Sequence, residues 1–364
     1  MSLPNCTVVT ACYSFKHIHP GARSVEELQQ SIVGTLDIPA YMVVYCDEYL
    51  EPFIKEYREK IGCANITVVR KIPYEEIWAY SLLETVKKNR DEYWPTRDAR
   101  TNAETHLITC NKFDFVERTI LDNPFPTTKF AWVDGCLDPK LKKICEDYSN
   151  AKIMRVLNHI VPDKFHIQIL NVCDKGFKDP ARKREFYGQY RWIVCGGFFA
   201  CGGTDIGLRV LARLKEIVVN TTLAGFGHGE EMFYLEVLDE FYDEIERSYG
   251  DYGQIIDNFV QPERNLGYIY HCIIKRYSAH AYHRECYDTC RKLITAFDTF
   301  AIKEDYYVWT ETYFYYYLSA FYYKREEARK IVDRIRQLCA ENPPFKQEFD
   351  KRRDYYESQF AYVL

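Results

Sequence analysis

Phe130-Ala-Trp-Val-Asp134-Gly-Cys-Leu-Asp138 is the stretch on which the fold turns. Its first four residues are apolar on both faces, as in a strand buried between two layers, whereas a half-exposed strand would alternate. The run 129–133 therefore reads as a strand, ended by Asp134-Gly135. In an open α/β sheet the carboxyl ends of the strands face the ligand, so Asp134 is expected at the rim, where a metal or a substrate hydroxyl is met. Asp is also a common turn residue, and position alone leaves that plainer reading open.

Outward from this strand, β-branched runs alternate with amphipathic stretches, the pattern of a sheet with crossover helices. Strands are expected at 6–11, 40–46 and 66–70, and helices at 25–32, 50–61, 77–90 and 104–121, with a loop at 93–100. Asn123-Pro124 and Pro126 stop the last of these helices, because proline lacks an amide donor and restricts its predecessor. Downstream, 153–157 and 192–199 read as strands and 204–220 and 229–248 as helices. The Lys-, Arg- and Gly-rich segment 174–189 reads as a mobile, lid-like loop. From 262 the strands disappear and helices are expected at 266–279, 282–297, 306–323 and 325–340. The last two resemble a single tetratricopeptide-like pair. One pair cannot bury its own face, so this region is expected to pack on the α/β part. The expected fold is α/β: a mixed sheet flanked by helices over 1–261, with a helical region over 262–364.

Composition narrows the function. Forty-eight Lys and Arg against 53 Asp and Glu give a net charge of -5, which argues against nucleic acid as a partner. The longest near-apolar stretch, 193–203, falls short of the roughly 20 residues a spanning helix needs, so no transmembrane segment is expected. Fourteen cysteines form no short framework and no secretory leader precedes them, which points to reduced thiols and a cytoplasmic setting. His280, His283, Cys286 and Cys290 mimic metal spacing, but along one helix their ends lie about 15 Å apart, too far for one ion.

Two glycine-rich segments add candidates. Cys195-Gly-Gly-Phe-Phe-Ala-Cys201 matches neither a P-loop nor a dinucleotide fingerprint. Gly196 and Gly197 beside Trp192 and Phe198 suit a flat platform for a sugar acceptor or donor, or simply a close strand crossing. Gly225-Phe-Gly-His228-Gly-Glu230-Glu231 is a tight loop opening into a helix. Glu230 or Glu231 suits a general base for an acceptor hydroxyl, or a carboxylate favoured by the helix dipole. His228 is either a metal ligand beside Asp134 or an ordinary loop histidine.

An ordered set of short pieces carries a family resemblance: Thr7-Val-Val-Thr-Ala11, Tyr45-Cys-Asp47, Lys112-Phe-Asp-Phe-Val116, Asn123-Pro-Phe125 and Trp132-Val-Asp134-Gly135. Together they resemble the HtrL/YibB family over roughly 5–240, which looks like glycosyltransferases of the GT-A type. The resemblance implies a GT-A-like, Rossmann-like sheet. It also implies transfer of a sugar from a nucleotide-sugar donor, by family prior UDP-linked, to a glycan, glycoprotein or lipid-linked saccharide. It places the donor against Thr10, Ala11 and Tyr13, with Asp47 near the base or ribose and Lys112 on the diphosphate. Asp134 takes the place of the metal-binding D-x-D, implying Mn²⁺ or Mg²⁺. Here the third residue is Cys136 and the next carboxylate Asp138. The alternatives are a nucleotidyltransferase and a non-catalytic, transferase-like interaction module.

Overall fold

A computed structural model of the chain describes residues 3–92, 102–137, 150–189, 191–251, 266–300 and 305–362. The loop expected at 93–100 and Asp138 lie outside the described residues. Contacts divide the chain into one unit of Met1–Asn171 and Gly176–Val260 and a second of Val172–Lys175 and Gln261–Leu364.

The first unit is built on a seven-stranded mixed sheet in the order β3-β2-β1-β4-β6-β5-β7. The strands are β1 (Cys6–Cys12), β2 (Tyr41–Cys46), β3 (Thr67–Lys71), β4 (Lys129–Val133), β5 (Phe165–Ile169), β6 (Val194–Cys201) and β7 (Ile245–Tyr249). β3, β2, β1 and β4 are mutually parallel, β6 is antiparallel to both β4 and β5, and β7 runs parallel to β5. The chain winds outward from β1 to β3 and then returns to the far side of β1 as β4. That reversal leaves a crevice above the carboxyl ends of β1 and β4, where open α/β sheets bind ligands.

Local chemistry sets the flanking helices. Ser24 and Glu27 form a reciprocal capping box at the start of Val25–Leu36, which satisfies two otherwise orphaned amides. Asn102 caps the long helix Ala103–Asp122 by accepting from Thr105 N at 2.7 Å. This helix packs between the sheet and the helix Thr204–Leu223, so even its polar residues Asn111, Lys112 and Asp114 are buried.

Three sequence expectations are corrected. Residues 153–157 are helical, within Asn150–His159. Ile153, Val156, Leu157 and Ile160 are all buried, and their i, i+3, i+4, i+7 spacing is that of one helix face. The missing strand is β5, whose polar residues hid it. His166 Nε2 accepts from Val161 N at 3.0 Å, and Gln168 Nε2 donates to Asp251 O at 2.8 Å, so both are buried at little cost.

Residues 229–248 are a 3₁₀ turn (Glu230–Phe233), a short helix (Tyr234–Glu240), a second turn and then β7. The chain leaves the helix at Phe241 and regains its hydrogen bonds by pairing with β5. Residues 174–189 form two 3₁₀ turns and the helix Lys183–Tyr187. Phe186 and Tyr187 are buried there and Phe177 packs on Phe186, so the segment is anchored by its aromatic rings.

The second unit is helical: Leu266–Ala279, His283–Phe300, Tyr306–Tyr323, Arg325–Glu341, Pro343–Asp350 and Arg353–Phe360. The aromatic helix Tyr306–Tyr323 touches most of the others and buries Trp309, Tyr313, Phe314 and Tyr317. Cys286 and Cys290 are buried packing residues. Every described cysteine is free, and no described helix is long and apolar enough to cross a membrane.

Candidate active site

The crevice above β1 and β4 holds a cleft of about 490 Å³, within the usual range for a small-molecule site. Its lining includes Ala11, Cys12 and Tyr13 from the end of β1, Trp132, Asp134, Gly135 and Cys136 from the end of β4, and Lys112. Gly135 is required there, since a Cβ would lie 2.8 Å from the Ala11 carbonyl oxygen. The backbone of the Asp134 turn therefore rests directly on β1.

Asp134 is held from two sides. Trp132 Nε1 donates to its Oδ1 at 2.7 Å and Lys112 Nζ approaches the same oxygen at 3.3 Å. Lys112 is 1 % exposed and also donates to Gly196 O at 2.9 Å and Glu230 Oε1 at 3.0 Å. Its three protons are thus all engaged. The Trp132 ring lies 5.6 Å from the same ammonium. Gly196 makes room for this packing, because a Cβ there would meet Glu230 Oε1 at 3.2 Å and Glu231 Cγ at 3.3 Å.

Burial works against a charged Lys112, yet the Asp134, Glu230 and Glu231 carboxyls outweigh it and push the ammonium well above the ordinary lysine range. Glu230 is likewise opposed by burial, but Lys112 holds it below the ordinary carboxylate range. Burial and the neighbouring Glu230 charge drive Glu231 well upward. The cluster therefore favours the charged forms of Lys112 and Glu230 and the protonated form of Glu231, with the titrations of the two glutamates linked.

The other expected residues are placed as follows. Ala11 and Tyr13 line the cleft, and the Tyr13 ring stacks on Phe115 with centroids 6.1 Å apart. Thr10 is buried just beneath, near Gly135. Asp47 stands outside the lining: its carboxylate accepts from the amides of Ser14, Tyr49 and Leu50 at 2.5, 3.0 and 3.1 Å, tying β2 to β1 and starting the next helix. Glu230 and Glu231 sit behind Lys112 and are not among the lining residues.

His228 is buried, and burial together with Arg90 lowers its pKa to about 4. The expected platform is the interior strand β6, buried along its whole length. Phe198 there belongs to the core, Gly197 O accepts from Asp134 N at 2.9 Å, and Trp192 is half exposed away from the cleft lining. Sequence reading passed over Thr105, Ile108 and Thr109, which line the cleft with Lys112. Their i, i+3, i+4, i+7 spacing on one helix was the available signal.

Mn²⁺ and Mg²⁺ prefer oxygen, and Mg²⁺ commonly takes one or two carboxylates together with substrate phosphates. Among the described residues no group of three or more His, Cys, Asp or Glu side chains could hold an ion. Asp134 fits the sparser arrangement. It faces the cleft with its side chain 25 % exposed, and two carboxylates, Asp134 and Glu230, meet a single ammonium.

Residues 6–148 match the HtrL/YibB family, described as a bacterial protein of unknown function. The matched residues include β1 to β4, Lys112 and the Asp134 turn. Two solved structures are similar. Mouse xyloside xylosyltransferase 1 in its apo form is 9% identical, with 66% of this chain and 84% of that chain covered and a TM-score of 0.36. 4-Diphosphocytidyl-2C-methyl-D-erythritol synthase from Anaerococcus prevotii is 12% identical, with 69% and 89% covered and a TM-score of 0.31. Neither likeness bears on the chemistry of the site. No curated protein matches the chain.

Proposed function

We propose that the protein is a glycosyltransferase that moves a sugar from a nucleotide-sugar donor, UDP-linked, to a hydroxyl of a glycan, glycoprotein or lipid-linked saccharide. The observation that carries this reading is the cleft at the β1/β4 reversal with Asp134 fixed at its floor by Trp132 and Lys112.

The donor would lie against Ala11 and Tyr13, with its diphosphate toward Asp134. A divalent ion held by Asp134 and the phosphate oxygens would offset charge on the departing diphosphate. Lys112 contributes by position: a buried, fully hydrogen-bonded ammonium is a preorganised charge beneath the place where negative charge develops. Glu230 keeps that ammonium in place. Neither Glu230 nor Glu231 is among the residues lining the cleft, which favours supporting roles for both glutamates over acceptor deprotonation.

The test is a thermal-shift series with UDP, UTP and UDP-sugars, each with and without Mn²⁺. A ligand at 100 times its dissociation constant stabilises by about 2.7 kcal/mol. The proposal expects a shift with UDP and a UDP-sugar that grows with Mn²⁺. A response confined to triphosphates would favour nucleotidyl transfer, and none at all would leave the cleft without a nucleotide.

A further inference from the structure

All three Lys112 protons are spent on Asp134, Gly196 O and Glu230, and the two carboxylates outnumber the one ammonium they face. The floor of the cleft therefore carries no net positive charge with which to attract a phosphate. Among the described residues lining the cleft, the cations are Lys112 and Arg23. Arg23 is exposed and makes no hydrogen bond or ion pair among the described residues. The carboxylates of the lining are committed elsewhere: Glu27 Oε2 accepts from Ser24 N at 2.7 Å, and Asp134 holds Trp132 and Lys112.

The backbone on either side of Arg23 is fixed. Lys16 Nζ donates to Ala22 O at 3.2 Å, and Ser24 Oγ accepts from Glu27 N at 3.2 Å at the start of the helix Val25–Leu36. The same loop is tied across to the helix Ala103–Asp122, where His19 Nε2 and the buried Glu104 Oε2 lie 2.6 Å apart. That helix supplies Thr105, Ile108 and Thr109 to the cleft. Arg23 is thus delivered to the cleft on an anchored loop with its N–H donors unspent.

We propose that Arg23 is the phosphate-binding residue of the cleft, and that it selects a ligand carrying a diphosphate over the bare nucleoside. A planar guanidinium offers two parallel N–H donors to phosphate oxygens. Arg23 brings to the ligand the positive charge that Lys112 spends on Asp134 and Glu230. The nucleoside half of this specificity rests on the proposed function. The anion half does not, because any diphosphate meets the same guanidinium.

The test is isothermal titration calorimetry on the full-length protein with Mg²⁺ at equal concentration in cell and syringe. UDP, uridine and inorganic pyrophosphate are titrated into the parent, Arg23→Gln and Arg23→Lys. Arg23→Gln is expected to weaken UDP and pyrophosphate by about tenfold to a hundredfold, the range for losing hydrogen bonds to a charged group. Arg23→Lys should recover part of that loss, and uridine should bind the parent more weakly than UDP and equally in parent and variant. Unchanged UDP and pyrophosphate affinities in Arg23→Gln would overturn the proposal and leave the nucleotide reading standing. A uridine affinity that falls by the same factor as that of UDP would also overturn it. Arg23-dependent binding of pyrophosphate by a protein that ignores UDP would do the reverse, keeping the anion site and ending the glycosyltransferase reading. A parent that binds neither would overturn both.

Discussion

At the scale of single residues, Asp134 and Lys112 carry the account, and their partners make it testable. Asp134→Ala removes the carboxylate at the cleft but leaves Lys112 its bonds to Gly196 O and Glu230. The expectation is complete loss of transfer with a circular-dichroism spectrum like that of the parent. Lys112→Met leaves Glu230 buried without its cation, a situation that typically costs about 3–5 kcal/mol, and urea denaturation should show a loss of that order. Glu231 gives a pH signature. Its folded pKa is raised, so its contribution to stability is fully present below the unfolded value and is lost as pH rises through the folded one. Glu231→Gln mimics the neutral acid, so its stability relative to the parent should increase from about pH 4.5 upward. A flat difference between pH 4 and 8 would contradict the assigned proton distribution.

At the scale of elements, the strand at Lys129–Val133 and the helix Ala103–Asp122 were legible because their apolar spacing is unambiguous and Asn123-Pro124 marks a stop. β5 and β7 were not, since His166, Gln168 and Glu246 interrupt any apolar run, and only pairing within the sheet makes these segments strands. The site was legible in the same uneven way. Strand ends and the Asp-Gly turn announced the cleft, but nothing local could reveal that Asp47 spends its carboxylate on three amides or that Lys112 reaches Glu230 across 118 positions.

Arg58 shows how the outer strands are secured. Buried in the helix Glu51–Lys60, it donates to the carbonyls of Leu36, Ile38 and Ala40 at 2.5, 2.9 and 3.2 Å and to Thr67 Oγ1 at 2.7 Å. Arg58→Met would strand those carbonyls, each unsatisfied group costing about 1–3 kcal/mol. A drop of several kcal/mol in urea denaturation is expected, and a change below about 0.5 kcal/mol would show that water replaces the guanidinium freely.

At the scale of the whole molecule, the proposed nucleotide site is assembled from a sheet reversal, a glycine-tight turn and a buried lysine. These features meet at one place in the first unit, the carboxyl ends of β1 and β4. The most direct measurement is a crystal structure of the protein grown with UDP and Mn²⁺. The diphosphate is expected in the cleft with the ion on Asp134, and Lys112 still bonded to Glu230 beneath it. UDP seated elsewhere on the protein, or a cleft that stays empty at saturating nucleotide, would contradict it.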